Sequence, residues 1–376
     1  MKLSRRSPTI QIVWLCLGAY GCADNTHVGQ TRHQTDHSTA FNRPVDEDCE
    51  NTFPVDILPE NPDADIGVRI PNEAALPNRL SETGLYADIA TKTVHPAYKH
   101  FIPQFALWSD DATKHRWVYI PECDTVDTSD INNWSLPVGT RLFKEFQVEG
   151  QRVETRVIER LGPRPRDFAY ASYLWNADES DATKVSAAGI SNALGTHFDI
   201  PSKDQCLQCH GSHATGGGRP SRALGFSSFQ LDFEDTELSL DTLKSAGAIS
   251  HALPSPLNIP GTPEDQAALG YLHANCGHCH NDTPDRIPQV SLNLWLDAGL
   301  ERLEDTAVWR TAVDQPTEIF NDQHVFGRIV PGQPSKSALL YRMKQRGNRG
   351  QMPPVGTEFT DPSGIAIISD WIGSME

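Results

Sequence analysis

Four cysteines and two histidines fall in one repeated pattern, Cys206-Leu207-Gln208-Cys209-His210 and Cys276-Gly277-His278-Cys279-His280. Two thiols about one helical turn apart reach the two vinyl groups of a single haem. The adjacent imidazole then faces the iron from the same side. C-x-x-C-H is the attachment pattern of c-type haem. The rival chemistries are a zinc site or a redox dithiol. Two C-x-x-C pairs can combine into one Cys₄ zinc site, but that leaves the histidine after each second cysteine unexplained. Neither pair sits in a thioredoxin-like strand–helix unit. The expectation is two covalently bound haems, held by Cys206, Cys209, Cys276 and Cys279, with His210 and His280 as proximal iron ligands.

The distal ligands separate the two motifs. Downstream of His280, Gln351-Met352-Pro353-Pro354 offers Met352, a soft thioether that favours ferrous iron and raises the reduction potential. Met343 competes, but it stands in the helix-like stretch Ser337 to Lys344, where packing explains it better. Between Cys209 and Cys276 there is no methionine. His213, His251 and His273, with His197 upstream, are the histidines near the first motif, and His251 is the first choice among them. An open first iron is the alternative, and it would make a dihaem peroxidase-like oxidoreductase the rival to simple electron transfer. A third reading has the upstream half docking a partner complex that the haems merely wire.

The elements that must position these groups divide the chain in two. Residues 48–200 are β-rich, with strand-like runs at Arg116 to Ile120, Thr140 to Phe146, Arg152 to Ile158 and Tyr170 to Trp175. Gln147 to Gln151, with Gly150, reads as a hairpin connection. Trp108, Trp117, Trp134 and Trp175 read as core rather than as cofactor contacts. No catalytic triad, phosphate loop or metal cluster stands out in this half. Residues 201–376 carry both motifs. Thr262-Pro263-Glu264-Asp265 marks a helix start that runs on to Asn275 and delivers Cys276. Asp361-Pro362 starts a terminal helix with Ile365, Ile368 and Ile372 on one face. The fold expected from this is multidomain: a β-rich N-terminal domain, then a mainly α, class I-like dihaem cytochrome c domain.

The N-terminus reads as an address. Lys2, Arg5 and Arg6 precede a short apolar run from Ile10 to Ala19, so residues 1–21 form an export signal. Ser4-Arg5-Arg6 hints at a twin-arginine signal, but Ser7-Pro8-Thr9 lacks the apolar residues that should follow. Ala19-Tyr20-Gly21-Cys22 resembles a bacterial lipobox, although Ala19 and Tyr20 depart from it. It implies a lipid anchor on Cys22, with ordinary cleavage nearby as the other reading. Ala23 rather than Asp after that cysteine implies sorting to the outer membrane. Residues 22–47 form a polar tether in which His27, His33 and His37 are composition rather than a metal site. Cys49 and Cys123 are left as an even pair, and a disulfide between them suits an oxidising compartment.

The chain has 376 residues and a formal charge of −17, which becomes −20 once the signal's three cations are removed. A surface this acidic repels phosphate backbones, so nucleic acid is excluded as a leading partner. It favours redox partners with basic docking patches, mainly through encounter rate.

A resemblance emerges from longer segments. Tyr271 to His280, Val330 to Leu339, Met352-Pro353-Pro354 and Asp370-Trp371-Ile372 resemble the cytochrome c domains of many bacterial exported proteins. Leu107-Trp108-Ser109-Asp110, Leu136 to Thr140, Val153 to Arg156 and Leu174-Trp175-Asn176 look like the N-terminal part of a family of secreted dihaem cytochromes. The resemblance runs from about Leu80 to the C-terminus. It implies haem binding and electron transfer, and carries no substrate with it.

Overall fold

Alternating strands supply the scaffold. In the computed structural model the described residues are 76–122, 124–164, 167–210, 223–232, 236–254, 257–282 and 290–376. They belong to the compact unit His37–Glu376. The signal, the Cys22 anchor, the tether, His213 and the Cys49–Cys123 pair lie outside the described residues.

Six antiparallel strands form a meander: β3 (Lys99–His100), β4 (Thr113–Tyr119), β5 (Arg141–Val148), β6 (Gln151–Arg160), β7 (Phe168–Trp175) and β8 (Ala182–Lys184). A separate pair, β1 (Tyr86–Asp88) with β2 (Thr93–Val94), precedes it. The β5–β6 hairpin turns at Glu149 and Gly150, both at positive φ (51° and 85°), as a tight type I′ turn requires.

Because side chains alternate along each strand, the sheet has two distinct faces. One carries Tyr119, Phe143, Val157, Ala169, Tyr173 and Trp175 and packs under Leu76, Leu80, Leu85, Tyr86 and Tyr98. The other carries Val118, Leu142 and Phe168 and joins a larger core built with Leu269, Leu272, Ile368 and Trp371. The larger core therefore continues from the sheet into the second half of the chain.

That second half contains α1 (Lys203–His210), α2 (Ser228–Leu231), α3 (Leu240–Ser245), α4 (Pro263–Asn275), α5 (Ala307–Ala312), α6 (Ala338–Met343) and α7 (Pro362–Ser374). The cap signals are realised at the two longest. The Thr262 hydroxyl accepts from the Asp265 N–H while the Asp265 carboxylate accepts from the Thr262 N–H, a reciprocal capping box. Asp361 caps α7 by accepting from the Gly364 N–H at 2.9 Å. α4 and α7 cross closely: a Cβ at Gly364 would fall inside the ring of Tyr271. The Trp371 indole N–H donates to Asp265 at 2.7 Å across the same contact.

The expected mainly α, class I-like cytochrome c domain is overturned. The dominant regular element is the six-stranded sheet. From Cys276 to Asp361 the described residues hold only two α-helices, of six residues each. Turn and loop contacts do the work of helices there: Arg328 donates to the Thr311 carbonyl and forms an ion pair with Glu318, which in turn accepts from Ser291. No helix among the described residues is long and apolar enough to cross a membrane.

Candidate functional site

The two motifs enter the site on unlike supports. The first lies wholly on α1, an eight-residue helix with no buried residue. Cys206 and Cys209 are one turn apart on it, and His210 is its last residue. The His210 ring lies 5.5 Å from that of Tyr170 on β7. The second motif leaves the C-terminal end of α4, where Cys276 is the C-cap. Asn275, directly before it, accepts the Trp108 N–H at 2.8 Å and donates to the carbonyls of Ala106 and Tyr271 at 3.0 Å. A Cβ at Gly270 would enter the ring of Phe105. The segment before β4 thus clasps the helix that presents the second motif.

The fold brings the motifs together. Thiol and imidazole ligand atoms of Cys209, His278 and Cys279 all lie within 4.8 Å of one another. The Cys209 thiol is pushed up to about 12 by its hydrogen bond with Cys279 and then by burial. Burial pushes the Cys276 thiol up to about 12 as well. His280 is buried, and its Nδ1 has no hydrogen-bond partner among the described residues. Burial pushes it down to about 4, with His278, Arg342 and Arg328 adding to the effect, so the imidazole is neutral near pH 7.

A cavity of about 1020 Å³ adjoins both motifs. Cys206, Cys209, His210, His273 and His278 line it, opposite Arg116, Lys144 and Arg156 of the sheet. Arg156 forms a bidentate ion pair with the fully buried Glu154, both contacts being 2.8 Å. Lys144 is held well below the usual lysine range, first by burial and then by the charges of Arg116, Arg156 and Lys114. The ring of Phe146 receives Lys144 at 4.7 Å and Arg156 at 4.4 Å. Such cation–π contacts contribute about 0.5–2 kcal/mol each, well short of what burying a charge costs.

The remaining expected residues fall in different places. Met352 is half-buried on a loop whose neighbours Gln351 and Pro353 to Glu358 line the cavity. Its N–H donates to the Arg342 carbonyl at 3.2 Å, and its carbonyl accepts from Arg346 at 3.2 Å. Arg342 also acts electrostatically on His280, so Met352 and His280 share a neighbour. Met343 belongs to the hydrophobic core at 6% exposure. His251 is exposed, bonded to Ser250, and is not among the residues that line the cavity beside His210. His273 lines that cavity, but its Nδ1 accepts the Leu296 N–H at 3.2 Å and its ring packs 4.3 Å from Trp295. His197 lies against Phe359, 5.0 Å between rings.

Sequence reading missed His278 and the sheet cations. His278 occupies a variable position of its motif and carries no signal of its own. The cations sit in strands that read simply as β-rich. Compared with protein-family models, curated proteins and solved structures, the chain matches none.

Proposed function

We propose that the chain is an exported dihaem c-type cytochrome that carries electrons between periplasmic redox partners, tethered to the outer membrane through Cys22. The observation that carries this reading is that the first C-x-x-C-H motif lines a cavity of about 1020 Å³, which the second, in contact with it at Cys209, reaches through His278. That volume is at the upper end of ordinary ligand cavities, about 300–1,000 Å³.

The residues present fit such a group. Cys206 and Cys209 stand one turn apart on α1, and His210 follows them into the cavity wall. His280 is a buried, neutral imidazole whose Nδ1 has no hydrogen-bond partner among the described residues. Met352 is held at its backbone by Arg342 and Arg346, and its thioether is the group that would ligate a second iron. Bound haem iron supplies one-electron chemistry at a potential set by its axial ligands and its burial. The chain's part is to anchor, to hold His210 and His280 in place, and to exclude water. Its acidic surface suits a basic partner.

Haem-stained denaturing gels of protein made in a host able to attach c-type haem test the reading. The stain should persist, and Cys276→Ala with Cys279→Ala should halve it. Absence of covalent haem from the wild type would overturn it.

One observation favours a second reading. Cys209, His278 and Cys279 are close enough to hold a single metal ion. A haem-free chain purified with one equivalent of zinc, lost in Cys209→Ser, would establish that centre instead.

A further inference from the structure

Arg116 of β4, Lys144 of β5 and Arg156 of β6 stand directly opposite one another in register, so three cations form a single row on one face of the sheet. Like charges directly opposite destabilise a sheet, and burial without partners raises the cost. Of the three only Arg156 forms an ion pair among the described residues, with Glu154, whose charge also acts on Lys144. Arg116 is 8% exposed and makes no side-chain hydrogen bond or ion pair with any described residue, and Lys144 makes none either. All three line the cavity beside the first motif. Three acids also line it, and none neutralises the row. Asp110 accepts from the backbone N–H groups of Glu358 and Phe359, Asp199 accepts from the Asn192 N–H, and Glu358 is exposed.

The row has a direction. Neighbouring strands lie about 4.8 Å apart, so it runs roughly 10 Å from Arg156 to Arg116. Arg156 is the member electrostatically coupled to Cys206 and Cys209. On a haem the vinyl-bearing and propionate-bearing edges are opposed. A macrocycle tied by its vinyls at these thiols carries its two carboxylates at the far edge, and the row leads away from the thiols.

We propose that Arg116 and Lys144 form a carboxylate-binding site whose occupant is the propionate pair of the haem held at Cys206 and Cys209. The identity of the occupant rests on the covalent-haem reading. The site itself does not, since a free dicarboxylate offers the same chemistry.

The test uses the purified full-length protein as wild type, Arg116→Gln, Lys144→Met, the double variant and Lys144→Arg. Each is titrated potentiometrically and melted with and without succinate. The expected result is that one of two redox steps moves to lower potential in Arg116→Gln and Lys144→Met, and further in the double variant. The other step stays fixed, haem content is unchanged, and succinate has no effect on melting. Lys144→Arg keeps the charge and should leave the step in place. A shift there as large as in Lys144→Met would assign the effect to packing and overturn the proposal. Unmoved redox steps, with succinate raising the wild-type melting temperature but not that of Lys144→Met, would keep the carboxylate site and assign it to a free ligand. No redox shift and no succinate response would overturn it. A chain without haem sinks the electron-transfer reading separately, and the succinate arm then decides alone.

Discussion

The two cysteine motifs have nearly the same sequence, yet the fold treats them differently. The second is built into the core. Its helix, α4, is capped at Thr262, buries Leu269 and Leu272, crosses α7 at Gly364 and ends in the Asn275 clasp. The first sits on α1, where no whole residue is buried although the Cys209 thiol is, and which rests against a cavity. A short helix without a packed face gains little from propensity alone. The comparison teaches that the second motif is held by the packed core, whereas the first is held by backbone contacts at the start of α1 and by the second motif at Cys209.

The largest effect should come from the support of the second motif. Trp371→Ala removes a fully buried indole and its bond to Asp265, and should cost about 3–5 kcal/mol in urea unfolding. The loss should be the same with or without cofactor. A cost below about 1 kcal/mol would show that α7 does not hold α4. Next in size is Leu272→Ala in α4, about 2–5 kcal/mol, set against Leu207→Ala in α1. Leu207 is half-buried on the cavity wall, so in haem-free protein the α1 change should cost about 1 kcal/mol, less than at Leu272. In haem-loaded protein it should cost measurably more, because Leu207 then has a filled cavity to pack against. Equal costs in the two forms would break the comparison.

The smallest effect on stability should carry the sharpest spectroscopic signature. On the dihaem reading, Met352→Ala should change stability little and open one iron to carbon monoxide, abolishing the weak red-edge absorbance of an iron–sulfur bond. Met343→Leu, a near volume-conserving change in the core, should keep that absorbance and cost less than about 1.5 kcal/mol. The reverse outcome would move the ligand to Met343.

The local signals that are strongest in physical terms are the ones that can be read directly from the residues. Thr262-Pro263 and Asp361-Pro362 announce helix starts because cap and fixed φ act locally, and both helices begin there. Gly150 between two alternating runs announces a hairpin, and β5 and β6 meet there. Those same caps misled about fold class. They describe two helices and say nothing of the chain from Cys276 to Asp361, whose described residues hold two six-residue helices and loops fixed by contacts such as Arg328 to Thr311. The cation row was illegible for a different reason. Register counted back from the turn puts Lys144 opposite Thr155. An irregularity between Phe146 and Gln147 slips the pairing by one and sets Lys144 opposite Arg156. Nothing in the local sequence announces that slip.

The Asn275 clasp also bears on timing. Trp108 and Asn275 are 167 residues apart in sequence, so this contact closes a very long loop and forms late. Until it does, α4 is free to fray at the end that carries Cys276. If the chain is exported unfolded, as proposed, the second motif's thiols would stay within reach of an attachment enzyme until the segment before β4 clasps α4. On that reading the clasp would act as a clock, and a variant such as Asn275→Ala would lengthen the interval in which the cysteines are open to modification.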